Sequence, residues 1–122
     1  MASVIDPQLA KTLIKNYQEQ NSSAGGPALK TAYGQFLNGF FIDRESLEAA
    51  LKNPACTGLS LHFAKHPEHQ DSKENVFTIV FAGAEPNPEW NEEAENTPKY
   101  LNNGDAFEYM TPCPPDCSTL CP

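Results

Sequence analysis

At 122 residues, with 39% apolar and 10% aromatic side chains, the chain has the length of one domain and enough apolar mass for one ordinary core. Its formal charge of −8 is lopsided: residues 1 to 82 hold 8 acidic and 7 basic side chains, whereas residues 83 to 122 hold 8 acidic ones and Lys99 alone. No cluster of Lys and Arg is present to displace counterions from phosphates, which argues against a nucleic-acid interface, and no apolar run approaches the ~20 residues that span a bilayer.

The opening residues, Met1 to Pro7, carry neither a basic leader nor an apolar h-region, so the expected location is cytoplasmic. Asp6-Pro7 is a helix start: the carboxylate accepts from first-turn amides, and proline lacks a donor that would be orphaned there. Leu9, Leu13 and Tyr17, flanked by Ala10 and Ile14, predict an apolar stripe along a helix from 7 to about 20. The turn-forming run Asn21 to Pro27 ends it. Residues 28 to 39 read as a short helix on the spacing of Leu29, Ala32, Tyr33, Phe36 and Leu37, weakened by Gly34 and Gly39.

Phe40-Phe41-Ile42 predicts a strand, and Asp43 the cap of a helix over 44 to 52 with Leu47, Ala50 and Leu51 inward. Asn53-Pro54 stops that helix, because a residue before proline avoids the helical region. Leu59, Leu61 and Phe63 alternate with polar or small residues, the period-two pattern of a strand with one buried face. From Val76 to Ala82 both alternating sets are apolar or nearly so, which predicts a strand covered on both sides. The polar run from His66 to Asn75 makes the pair an antiparallel hairpin with a long loop. Phe77, Ile79 and Phe81 with Leu61 and Phe63 are the expected centre of the core, with Leu13 contributing.

The run Gly39 to Leu47, the segment Asn53 to Ala64, the Val/Phe strand and the terminal Cys113-Pro114-Pro115-Asp116-Cys117 together resemble a group of short uncharacterised bacterial proteins. That group has an aromatic step, a helix of the form K/R-e-x-L, a strand like G-I-R-I-Y and a terminal C-P-P-x-C. Ser60 stands where the group's strand has Arg, so no role of that Arg carries over. The resemblance implies one compact domain with a Cys/Pro-rich end and gives no function.

Beyond Gly83 the chain is acidic and proline-rich through Pro98, with Trp90 as its one large apolar anchor, and an irregular path is expected. Asn102 to Asp105 reads as a turn before a short edge strand over 106 to 110. Three of the four cysteines then form a C-x3-C-x3-C array, Cys113, Cys117 and Cys121. Structural zinc usually takes C-x2-C pairs. The leading expectation is therefore mostly free thiols in the reduced protein and no metal or other cofactor. The alternative joins Cys113, Cys117 and Cys121 with His66 and His69, or with Cys56 and Asp71 nearby, in a zinc site. A disulfide within the tail or across to Cys56 stays open, with Cys117 to Cys121 the easier local pair, since Pro114-Pro115 should stiffen the chain toward an extended path.

No nucleophile elbow, phosphate-binding glycine loop or zinc-protease motif occurs. Cys56 with His62 reads as a structural cysteine beside a surface histidine, and Glu92, Glu93 and Glu95 as a solvated face. The expected architecture is α+β, two or three helices on an antiparallel sheet of three or four strands, with a single domain over 1 to 110 and a tail over 111 to 122. The leading functional reading is a non-enzymatic interaction or self-assembly protein, a homo-oligomer using Val76, Val80, Trp90, Cys113 and Cys117, with the segment from Trp90 to Pro122 laid over the second face of the sheet. A zinc or redox protein using the C-terminal cysteines is one alternative. A small-ligand carrier with an aromatic pocket at Phe40, Phe41 and Trp90 is the other.

Overall fold

A computed structural model describes residues 2–22, 28–69, 75–108 and 111–122. The turn-rich segment 23–27, the middle of the hairpin loop at 70–74 with Asp71, and the end of the last expected strand at 109–110 lie outside the described residues. In chain order the elements are α1 (Pro7–Ser22), β1 (Gly39–Phe41), α2 (Arg44–Ala50), β2 (Gly58–Lys65), β3 (Phe77–Pro86), β4 (Tyr100–Phe107) and β5 (Thr111–Cys113), with a 3-10 turn at Pro67–His69. Among the described residues two helices and two antiparallel sheets, β1-β5 and β2-β3-β4, make the α+β fold that the sequence implies. The chain divides into two compact units: Met1–Phe41, Lys65–Thr78 and Met110–Pro122 form one, and Ile42–Ala64 and Ile79–Tyr109 the other.

In the first unit Asp6 caps α1 as expected, its carboxylate accepting from Gln8 N at 2.8 Å while its carbonyl accepts from Ala10 N at 2.9 Å. The face that α1 turns inward is not the one the leucines mark. Leu9 and Leu13 are about half exposed and Tyr17 is exposed, whereas Ala10, Ile14 and Gln18 are half-buried and Asn21 is buried. Asn21 sets this rotation. Its amide nitrogen donates to the carbonyls of Leu29 (3.0 Å) and Leu37 (3.3 Å), and its Oδ1 accepts from Leu29 N (2.7 Å). Tyr17 adds a bond from its hydroxyl to Leu37 O at 2.7 Å, and the partial desolvation of this otherwise exposed side chain pushes its ionisation above the ordinary tyrosine range. A tyrosine whose folded-state pKa is raised contributes stability below its unfolded value, and that contribution is lost as pH rises through the folded one.

Residues 28 to 39 do not form a helix. Thr31 N donates to Gln35 O at 2.8 Å, Gly34 N donates to Thr31 O at 3.1 Å, and Lys30 bridges both Phe36 and Val76. Gly34 sits at φ +80°, a left-handed conformation that favours glycine and a tight turn over helix continuation. The turn leads Leu37, 4% exposed, into β1. There Gly39, Phe40 and Phe41 pair with Cys113, Pro112 and Thr111. The chain end expected to be a tail thus begins as a strand.

In the second unit Asp43 caps α2, its two oxygens accepting from Ser46 N (3.0 Å) and from the Ser46 hydroxyl (2.7 Å). The hydroxyl bond first, and the backbone bond second, hold the Asp43 carboxyl below its ordinary pKa. Phe81 is fully buried and stacks on Phe107 at 5.5 Å between ring centroids. Ala82 and Ala84 are buried beside it, so β3 is covered on both faces at this point. A side chain at Gly83 would run into the Ala50 carbonyl and come within 2.7 Å of Cys56 Sγ, so glycine is what lets α2 approach the strand.

Two expectations fail here. Leu61 is 53% and Phe63 83% exposed, not core. The reason lies in the topology: β2 is the outer strand of β2-β3-β4, and α2 packs on β4 at the opposite edge. The Asn102 to Asp105 run, read as a turn, lies inside β4, where the pairing jumps from Ala84↔Asn102 to Ala82↔Ala106. The turn-forming residues are spent on a bulge. The acidic loop between β3 and β4 is irregular as expected. Asn87 N donates to Lys99 O at 2.9 Å and closes its base, while Asn87 and Asn91 side chains cap successive turns.

Urea unfolding tests this rearranged core. Asn21→Ala is expected to destabilise by about 1–3 kcal/mol through the backbone groups it orphans, and Phe81→Ala by about 3–5 kcal/mol. Leu13→Ala and Phe63→Ala should each stay within about 1 kcal/mol of the parent. The opposite ranking would mean that the leucine stripe and β2 carry the core after all.

Candidate thiol centre at the C-terminus

β1–β5 pairing fixes the first cysteine. Cys113 is 7% exposed, faces Gly39 in the ladder, and its carbonyl accepts from Asn38 N at 2.8 Å. The chain then turns at Pro114 to Asp116 instead of extending. Asp116 N donates to Pro112 O at 3.0 Å and Cys117 N to Pro115 O at 2.8 Å. The Cα atoms of Cys113 and Cys117 come within 4.8 Å, and the two residues are joined by a disulfide. This corrects the expectation that Cys117 and Cys121 are the easier local pair: the hydrogen-bonded turn overrides the stiffness expected of two prolines.

A second short turn follows, in which Cys121 N donates to Ser118 O at 3.1 Å. It returns Cys121 to the disulfide, with its sulfur 3.9 Å from Cys113 Sγ. The three sulfurs lie within 4.8 Å of one another, one buried, one half-buried and one exposed. Gln18, from the inward face of α1, donates its side-chain amide to Cys121 Sγ at 3.2 Å. Nothing in the sequence marks Gln18: it is a polar residue between the stripe positions, and only the rotation set by Asn21 brings it inward.

The histidines of the zinc alternative do not join this group. His66 and His69 meet edge to face at 5.5 Å, with His66 Nδ1 accepting from Glu68 N at 3.2 Å. Val76, Cys113 and Cys117 belong to the first unit, Val80 and Trp90 to the second. Within the segment from Trp90 to Pro122, Trp90 lies in the β3–β4 loop, where Lys99 Nζ sits 4.9 Å from its ring, while residues 111 to 113 pair with β1. Phe40 and Phe41 lie in the first unit and Trp90 in the second.

A shallow cleft of about 390 Å³ in the second unit is lined by Ser60, His62, Val80, Tyr100 and Asn102 among others. His62 bonds the Ser60 hydroxyl at 2.5 Å there. Cys56 does not line it; its thiol donates to Asn103 O at 3.7 Å under the bulge. No helix among the described residues is long and apolar enough to cross a membrane. Compared with family models, with curated proteins and with solved structures, the chain matches none.

Alkylating the intact oxidised protein in denaturant at acidic pH, then mapping peptides by mass, should find Cys113 linked to Cys117 and label on Cys56 and Cys121. A Cys117–Cys121 link would contradict the turn at Pro114 to Asp116.

Proposed function

We propose that the chain is a small non-enzymatic thiol–disulfide protein whose working group is Cys113, Cys117 and Cys121. The observation that supports this is the third sulfur: Cys121 stands 3.9 Å from one atom of the disulfide. Disulfides exchange by thiolate attack on one sulfur with loss of the other as thiolate. Cys121, deprotonated, attacks Cys113 Sγ; a Cys113–Cys121 bond forms, the Cys113–Cys117 bond breaks, and its electron pair leaves on Cys117. No net oxidation occurs. The exchange moves the free thiolate from the half-buried position 121 to the exposed position 117, where a partner's disulfide can reach it.

A cytoplasmic location belongs to this proposal in a specific form: a reducing compartment would keep Cys113 and Cys117 as thiols at rest and form the bond transiently. Self-assembly is a second reading, supported by the exposed Leu61 and Phe63 on the outer strand β2, since an apolar sheet edge is a template for a second copy. The resemblance to short bacterial proteins ending in C-P-P-x-C is compatible with either.

Equilibration of the metal-free protein in glutathione buffers, with acid quenching and peptide mapping, tests the exchange. The parent should show a Cys113–Cys121 population beside Cys113–Cys117, and Cys121→Ser only the latter. Absence of any Cys113–Cys121 form across the whole redox range would overturn the reading.

A further inference from the structure

We infer that the same three sulfurs, once reduced, form a binding site for one zinc ion. The inference builds on the proposed thiol group but does not need the exchange reaction, because it concerns the fully reduced chain. Reduction breaks the Cys113–Cys117 bond with two electrons, either from a dithiol that gives up two protons and becomes a disulfide, or from a phosphine that becomes its oxide while water supplies the oxygen and both protons, and it leaves three thiols. Zinc then displaces their protons, since thiolate is the ligand.

Geometry and ligand chemistry agree. Tetrahedral zinc with Zn–S bonds of about 2.3 Å holds its sulfurs about 3.8 Å apart. Cys113 and Cys121 already stand at 3.9 Å, and all three sulfurs lie within 4.8 Å. Opening the disulfide to the same separation needs only side-chain rotation about Cα atoms 4.8 Å apart. Soft thiolates select zinc over the hard cations that carboxylates prefer. The supports around the ligands are of the kind that metal sites use. Cys113 is locked in the β1–β5 ladder, and Gln18 Nε2 donates to Cys121 Sγ, which orients that sulfur and spreads its charge.

The group contains no fourth His, Cys, Asp or Glu among the described residues. Three protein ligands leave a tetrahedral ion one position for water or an incoming ligand, the arrangement of open rather than closed zinc sites. The C-x3-C spacing, one residue longer than in zinc knuckles, is accommodated because the turn at 114 to 116 folds the extra residue out of the way.

Titrating zinc into the full chain, reduced with a phosphine, against a chromophoric chelator gives the test. One zinc per chain is expected, unchanged in Cys56→Ser and lost in Cys121→Ser. Gln18→Ala should weaken binding about 10-fold or more. Cobalt in place of zinc should give the visible bands of a tetrahedral site and thiolate-to-metal charge transfer, a readout on the unmutated chain that no folding defect can mimic. The oxidised protein should bind none. Less than half an equivalent of zinc, one zinc shared by two chains, or full binding by Cys121→Ser would each overturn the inference. Zinc binding without any Cys113–Cys121 disulfide in metal-free buffer would remove the exchange reading alone, and the converse would remove the metal site alone.

Discussion

Asn21 is the residue on which the first unit depends. A buried amide costs free energy unless its donors and acceptor are engaged, and here three bonds to Leu29 and Leu37 engage them. Those bonds fix two things at once. They rotate α1 so that Gln18 faces inward, and they hold the strand entry at Leu37, two residues before β1 begins. β1 in turn holds β5, and β5 holds Cys113. One amide therefore positions both sides of the sulfur cluster, the hydrogen-bond donor from the helix and the buried cysteine from the ladder.

The disulfide itself is a minor contributor to the fold. In the loop-closure picture a bridge spanning four residues constrains the unfolded chain by only about 2 kcal/mol, less than a bridge between distant segments. The ladder between residues 39–41 and 111–113 makes the long-range connection. A bond that is not needed to hold the chain end in place can be broken and remade while the unit stays folded, which the proposed exchange requires. Exposure follows the same division: Cys113 is anchored and buried, while Cys117 is exposed.

Local chemistry was legible in the sequence wherever it is self-contained. Asp6 and Asp43 read as caps and are caps, because a carboxylate before a free amide has the same use in any context. The doubly apolar strand after Val76 reads as a covered strand and is one at Phe81 to Ala84. Periodicity failed where a single tertiary contact outweighed it. Leu9 and Leu13 gave α1 an apolar stripe, yet Asn21 turned the helix. Leu61 and Phe63 gave β2 a buried face, yet the strand sits at an edge with α2 on the far side. Gly34, read only as weakening a helix over 28 to 39, makes a turn in its place, and the Asn102 to Asp105 run, read as a turn, makes a bulge. The cysteine array was visible as a pattern. Its pairing was not, because the decision rests on backbone bonds at Pro112 to Cys117 that no spacing rule encodes.

The central claim is that Cys121 is held against Cys113 by the fold rather than meeting it by chance. The most direct measurement removes the competing partner: Cys117→Ser, mildly oxidised at several protein concentrations and mapped by peptide mass. The account predicts a Cys113–Cys121 disulfide within each chain, formed at a rate independent of concentration. Chains linked to one another, or thiols that stay free at positions 113 and 121, would contradict it.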